Sequence, residues 1–209
     1  LKEWDLTTKL EKEKQVLGLY VSARPLDGYK PQLEWLGLSS FKNMHDVGGF
    51  VIGYGVLKSM REITTKKGDK MAFVQLEDYD GKAEIVVFPK PYQKAAELLK
   101  QHTVFVVKGI LDEVTEKMCK IKANELYALD KMFDDTSILQ KISLTLPERC
   151  DQELLSAIKT NLTNGKTPLE LIFYEGGQKF ALQSKQKVSY SLDALQNLHK
   201  HTIKIKVAL

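Results

Sequence analysis

The chain has few of the residues that form disulfides, metal centres or membrane spans. Its 209 residues include two cysteines, Cys119 and Cys150, and four histidines. Neither cysteine belongs to a CxxC pair, which is typical of reduced thiols in the cytoplasm. No run approaches the roughly 18 apolar residues that a membrane span needs, and no apolar signal-peptide segment follows the first residues. These absences predict a cytoplasmic protein without a membrane partner.

Signatures of catalysis are also missing from the sequence. It contains no Gly-rich phosphate loop, no nucleophile elbow and no zinc-ligand spacing. The acidic run from Glu77 to Asp80 precedes a glycine, a pattern more typical of a solvated hairpin than of a metal site. We therefore expect no catalytic residues, no metal, no cofactor and no enzymatic activity in this part of a protein.

Composition is that of a folded protein with only a slight excess of positive charge. Hydrophobic residues make up 43% of the chain and charged residues 28%, which is enough apolar material for packed cores. The net charge is +4, and residues 45–130 contain 13 basic and 13 acidic residues. A nucleic-acid partner would thus depend on a local concentration of cations rather than on overall charge.

Hydrophobic periodicity predicts a helical lead-in followed by a small barrel. Residues 1–44 carry helical spacing over 2–20 and 29–36, interrupted by a turn at Arg24–Gly28. Within 45–130 the period becomes two, and the expected strands cover 51–60, 71–78, 83–88, 104–111 and 118–126. A helix over 92–101 separates the third strand from the fourth. This order is that of an OB-fold, a five-stranded barrel that binds nucleic acids.

The rest of the chain predicts a second, smaller domain. Residues 131–140 have the composition of a linker. Residues 141–209 follow the order β-α-β-β-α-β, which is typical of the ferredoxin-like, or split βαβ, arrangement. The predicted fold class is therefore α+β and mainly β.

Alternation along the second and third strands predicts which side chains face solvent. Phe73 on the second strand points outward, as do Glu84, Val86 and Phe88 on or next to the third. Cations concentrate along the first strand and the first hairpin loop, at Lys58, Arg61, Lys66, Lys67 and Lys70. Exposed aromatics beside cations are what single-strand binders use, because bases stack on rings while phosphates pair with cations. In the alternative, Phe73 and Phe88 pack beneath a neighbouring domain and the lysines only solvate a hairpin.

A motif before the barrel resembles a known family. The segment 13–26, EKQVLGLYVSARPL, is similar to a stretch of the alpha subunit of bacterial DNA polymerase III that directly precedes an OB domain. Ala23 and Arg24 depart from the family's usual Gly-His. The segments 71–78 and 81–89 also look like that family's OB domain, so the resemblance extends over about residues 8–130.

The resemblance implies a place within a replicative polymerase. The barrel would contact single-stranded template DNA, and the catalytic carboxylates and the main clamp-binding peptide would lie in the rest of the polymerase chain. Residues 141–209 resemble the domain associated with the clamp-loader tau subunit, and the sliding clamp is a further possible partner. Two alternatives remain open. One is a purely protein–protein module of the replisome, which an outward Val86 and Phe88 favour. The other is an anticodon-binding barrel of the class II tRNA synthetases, whose stacking Phe matches Phe73 by position.

Overall fold

A computed structural model of the chain describes residues 4, 6–18, 21–133, 138–148, 150–201 and 203–209. These residues form two compact units. The first contains the described residues up to Lys30 together with Leu38–Leu129, and the second contains Pro31–Gly37 together with the described residues from Asp130 onward. Among the helices in these ranges, none has both the length and the apolar character of a membrane span.

The lead-in is made of short helical elements. They are α1 (Leu6–Leu17), a 3-10 helix (Pro25–Tyr29), α2 (Lys30–Leu36) and a second 3-10 helix (Phe41–Asn43). Of the helix expected over 2–20, residues 6–17 are confirmed, and positions 2, 3, 5, 19 and 20 lie outside the described residues. The Glu13 carboxylate accepts hydrogen bonds from the backbone N–H groups of Val21 (2.8 Å) and Ser22 (3.0 Å), which hold the following turn against α1.

The centre of the first unit is a closed five-stranded barrel, which confirms the predicted OB-fold. Its elements are β1 (Phe50–Thr64), β2 (Lys70–Glu77), β3 (Lys82–Val87), α3 (Pro89–Gln101), β4 (Val104–Val114) and β5 (Cys119–Ala128). The strands follow the order β1-β2-β3-β5-β4 around the barrel. All neighbouring pairs are antiparallel except β3 and β5, whose parallel pairing closes the barrel.

The barrel core confirms the predicted inward faces. Ala72, Val74 and Leu76 on β2 are buried, as are Ile85 and Val87 on β3. Close packing between strands also explains why position 109 is a glycine. A Cβ at Gly109 in β4 would lie 2.2 Å from the backbone oxygen of Lys122 in β5, so no larger residue fits without moving the strand.

β1 and α3 are longer than periodicity predicts, for different reasons. β1 continues to Thr64, four residues beyond the expected end, because its polar second half pairs in register with β2 as far as Lys70. α3 begins at Pro89 rather than at Tyr92. Proline is tolerated in the first turn of a helix, where its missing N–H would have no partner anyway, so the two prolines start the helix instead of preceding it.

The second unit contains a four-stranded sheet and a separate two-stranded one. Its elements after α2 are α4 (Leu129–Met132), β6 (Lys141–Thr145), α5 (Gln152–Asn161), β7 (Thr163–Thr167), β8 (Leu169–Glu175), β9 (Gln178–Gln183), β10 (Val188–Ser189), α6 (Leu192–Lys200) and β11 (Lys204–Ala208). Within the expected linker 131–140, Phe133 and Leu139 are buried, and residues 134–137 lie outside the described residues. The mixed α+β class is confirmed.

The strand order of the larger sheet corrects the predicted split βαβ arrangement. The order is β11-β6-β8-β9, with β6 and β8 adjacent and parallel. A split arrangement would place another strand between them. Here the chain crosses over through α5 and returns as β8 directly beside β6. The two-residue turn after β8 then places β9 at the edge of the sheet. Gly165 lies within β7, where a Cβ would meet the backbone of Ser189 in β10 at 2.3 Å.

Candidate nucleic-acid interface

Strand register arranges the outward side chains of the barrel in two parallel rows. In the first row Arg61 lies opposite Phe73, Phe73 opposite Val86, and Val86 beside Lys122. The second row is formed in the same way by Ser59, Gln75, Glu84 and Lys120. We refer to these eight residues, on β1, β2, β3 and β5, as the platform.

The aromatic residue of the platform is paired with a cation. Phe73 is half-buried, and the guanidinium carbon of Arg61 lies 5.1 Å from the centre of its ring. This distance is within the range of a cation–π contact. Arg61 is exposed, and a guanidinium plane is itself a surface on which bases stack. The sequence names both residues as candidates but does not reveal the contact between them.

Two lysines of the first hairpin loop form no ion pair with any carboxylate of the described residues. Lys66 and Lys67 are exposed, and within the described part of the chain neither forms an ion pair. The loop is closed by its own backbone, through hydrogen bonds from Thr65 N–H to the Asp69 oxygen (2.8 Å) and from Gly68 N–H to the Thr65 oxygen (2.9 Å). Both lysine side chains therefore remain available to a partner while the loop keeps its shape.

The remaining cations around the platform are ion-paired. The pairs are Lys58–Glu77 and Lys82–Glu77 (3.8 Å each), Lys70–Glu62 (2.8 Å), Lys120–Glu84 (3.2 Å) and Lys122–Asp112 (2.5 Å). Exposed pairs of this kind contribute about 0–1 kcal/mol each and exchange readily for other partners. Glu84, predicted as a binding residue, thus neutralises a neighbouring lysine. Sequence analysis missed Lys120 and Lys122 because only the β3–β5 register brings them to this face.

Glu62 connects the loop side of the platform to α3. Hydrogen bonds from Lys70 and then from Tyr92 lower the pKa of the Glu62 carboxyl. The same hydrogen bond to Glu62, followed by burial, raises the pKa of Tyr92 to about 12. Glu62 therefore remains an anion at neutral pH and holds Lys70 against β1.

Val86 and Phe88 differ in accessibility. The expectation that Val86 presents an exposed apolar surface is wrong, since its exposed fraction is 5%. In the first row it lies between Phe73 and Lys122. Phe88, directly before α3, has an exposed fraction of 44% and is accessible as predicted.

The lead-in supports the opposite end of β2. The Tyr79 hydroxyl donates a hydrogen bond to Asp27 (2.9 Å), and the backbone N–H of Phe41 donates to the Asp78 carboxylate (2.6 Å). Asp78 also accepts from the N–H groups of the turn that follows it, which is the hairpin role expected of the acidic run. A cleft of about 720 Å³ lies here, lined in part by Arg24 and Lys58.

Comparison with known proteins finds a family that is similar to this barrel. Residues 51–129 match the family described as the OB-fold nucleic acid binding domain. This range begins one residue after the start of β1 and ends one residue after β5, so it covers the barrel. The barrel is a binding fold and not a catalytic one.

Sequence relatives extend the similarity beyond the barrel. The chain is 39% identical over 109 residues to the alpha subunit of DNA polymerase III from Aquifex aeolicus, covering 51% of this chain and 9% of that protein. With the alpha subunit from Borreliella burgdorferi the identity is 28% over 221 aligned residues, covering 97% of this chain and 18% of the relative. The Escherichia coli subunit is 25% identical over 188 residues, with 86% and 16% covered. The chain therefore spans less than a fifth of the length of these relatives.

Proposed function

We propose that residues 51–129, which match the OB-fold nucleic acid binding domain family, bind the single-stranded template of a replicative DNA polymerase. The observation that carries the proposal is that the Arg61–Phe73 pair lies on the two strands joined by the loop of Lys66 and Lys67, which form no ion pair among the described residues. A stacking surface and cations available to phosphates are the two elements that a single strand requires.

Each group has a distinct role in the proposed complex. Lys66 and Lys67 neutralise successive phosphates, and this contribution weakens as salt increases because counterions are released on binding. A base stacks on the guanidinium of Arg61, whose other face rests on Phe73. None of these contacts reads the edge of a base, so binding is tolerant of sequence.

The similarity to polymerase alpha subunits gives the proposed setting. The chain is a non-catalytic section of a longer protein, and DNA-directed nucleotidyl transfer belongs to the remainder of that protein. The barrel holds the template strand and thereby helps the polymerase remain on it. The rest of the polymerase chain is then its constant partner.

An NMR titration of the whole chain with a short oligo-dT tests the proposal. We expect amide shifts to concentrate in residues 58–75, which contain the lysine loop and both members of the Arg61–Phe73 pair. A matched titration with oligo-rU addresses the anticodon-type alternative, which predicts the stronger response to RNA. Shifts that avoid residues 58–75 would contradict the proposed template site.

A second candidate function, protein docking, is favoured by the second unit. All six residues of the edge strand β9 are exposed. Phe180 stacks on Phe173 at 5.5 Å, and the exposed fraction of Leu182 is 57%. An exposed edge strand with apolar side chains is suited to pairing with a strand of another protein.

We propose a replisome subunit as the partner of this edge. The resemblance names the clamp-loader tau subunit first and the sliding clamp second. Pull-down of tau by the wild-type chain, and its loss with Leu182→Lys, would support docking through β9. The matched variant Lys179→Gln, on the same strand, should retain the interaction. Equal capture of tau by all three proteins would exclude this edge.

A further inference from the structure

A groove on the barrel, separate from the Arg61–Phe73 pair, combines aromatic rings with lysines. It has a volume of about 660 Å³ and lies between the start of α3 and strands β1, β4 and β5. Its main lining side chains are Phe50, Phe88, Lys90, Lys94, Lys108 and Asn124.

The two rings of the groove are accessible. The exposed fraction is 57% for Phe50 and 44% for Phe88. Burying an apolar ring is favourable by about 25 cal/mol per Å² of apolar surface, so leaving two of them in water at one site costs stability. Exposed apolar side chains gathered in this way typically mark a binding surface.

The lysines give the groove a positive charge. Lys90 and Lys94 are exposed and lie one turn apart on α3, and in the described ranges neither is ion-paired. Lys108 contacts Glu125 at 3.4 Å, and the carboxylate of Glu125 also accepts a hydrogen bond from Tyr127 at 2.7 Å. Three lysines against one carboxylate leave an excess of positive charge beside the rings.

The groove begins where the platform ends. In the parallel pairing of β3 with β5, Val86 lies beside Lys122, the last pair of the first row. Phe88 and Asn124 follow two residues further along the same two chain segments, and both line the groove. A strand that crosses the platform towards β5 therefore meets the groove next.

We infer that this groove binds a second segment of the same single-stranded nucleic acid, so that the binding path continues from the platform onto α3 and β5. Bases stack on Phe50 and Phe88, phosphates pair with Lys90 and Lys94, and the Asn124 amide is placed to hydrogen-bond a base edge. The inference rests on the proposed template-binding function and extends its site. An acidic peptide is the competing occupant, but continuity with the platform favours the nucleic acid.

The length of the oligonucleotide separates the two sites. OB-folds occupy about 4–16 nucleotides, so dT4 should cover the platform alone and dT16 should reach the groove. We would measure fluorescence anisotropy of the whole chain with both oligonucleotides over a series of salt concentrations. Two groove variants, Lys90→Gln with Lys94→Gln and Phe50→Ala, are compared with Lys100→Gln, which lies on α3 outside the groove and pairs with Glu97.

The expected result is a weakening confined to the longer strand. The lysine double variant should lower the salt dependence of dT16 binding by about 1.4, at about 0.7 for each phosphate contact. Phe50→Ala should weaken dT16 binding at least about fivefold, as expected when one base no longer stacks on a ring. Both should bind dT4 as the wild type does, and Lys100→Gln should match the wild type with either oligonucleotide.

Three outcomes would overturn the inference. The groove variants equal the wild type with dT16 while dT4 binding is intact, which leaves the platform standing alone. An acidic phenylalanine-containing peptide shifts the amides of Phe50 and Asn124 in NMR spectra while dT16 does not, which makes the groove a peptide site. The wild type binds neither oligonucleotide, in which case the proposed template function fails as well.

Discussion

Replacing the two unpaired lysines of the hairpin loop should weaken single-strand binding without affecting the fold. In the double variant Lys66→Ala with Lys67→Ala, the hydrogen bonds that close the loop remain, because they involve Thr65, Gly68 and Asp69. Exposed substitutions that break no contact usually change stability by less than about 0.5 kcal/mol. The melting temperature of the variant should therefore match that of the wild type.

The size of the binding defect follows from the number of phosphates that no longer have a lysine partner. Each phosphate–lysine pair contributes about 0.7 to the slope of log K against log salt for a single strand, so removing both lysines lowers the slope by about 1.4. If binding converges at 1 M salt, the variant is about 25-fold weaker at 0.1 M. Fluorescence anisotropy with oligo-dT between these concentrations measures both quantities.

A matched variant shows whether the effect comes from free charge. Lys58→Ala with Lys70→Ala removes the same number of cations, but both lysines have carboxylate partners, Glu77 and Glu62. Its slope should fall by clearly less than 1.4, since part of each charge is already neutralised. Equal slopes for the wild type and the loop variant would refute the reasoning, and the lysine loop would then not contact the strand.

Three further predictions concern the platform and the barrel. Phe73→Leu keeps an apolar side chain but removes stacking, so oligo-dT affinity should fall by about 5-fold or more. Glu77→Gln frees Lys58 and Lys82 from their carboxylate partner, so it should raise both the affinity and its salt dependence. Unchanged binding in both variants would argue against the platform. Because the folded-state pKa of Glu62 is lowered, its stabilising contribution is present above its ordinary value of 4.5 and is lost as the pH falls below it. The melting temperature should thus fall more steeply on acidification in the wild type than in Glu62→Gln, and parallel curves would contradict this role. Burial raises the pKa of Cys119 to about 11, so a thiol reagent at neutral pH should modify exposed Cys150 alone until the protein is denatured, and rapid reaction of both would contradict a closed barrel.

Local patterns were sufficient to predict the barrel. Period-two alternation identified the inward faces of β2 and β3, including Val74 and Ile85, because one side of each strand faces the core. The helix predicted between the third and fourth strands then identified the order of elements as that of an OB-fold. The start of α3 was misplaced because a proline that ends a strand and a proline that begins a helix leave the same local signal.

Features that depend on pairing between distant residues could not be predicted. The ion pairs of Lys120 and Lys122 require the β3–β5 register, which no short-range pattern encodes. The strand order of the second unit depends on whether the crossover returns directly beside β6 or leaves room for another strand between, and alternation is the same in both cases. β7, Thr163–Thr167, has an almost entirely exposed polar sequence, so no pattern in the sequence predicted a strand there.

In the proposed template site, the loop between β1 and β2 separates the strength of binding from the stability of the fold. Its backbone hydrogen bonds and the left-handed conformation of Gly68 (φ 87) define its shape, and neither involves the two residues at its tip. In many proteins a change that improves stability costs function, because functional sites are often strained, and this trade-off limits which variants survive selection. Positions 66 and 67 avoid that limit, so evolution or an engineer can adjust affinity there one charge at a time while folding stays constant.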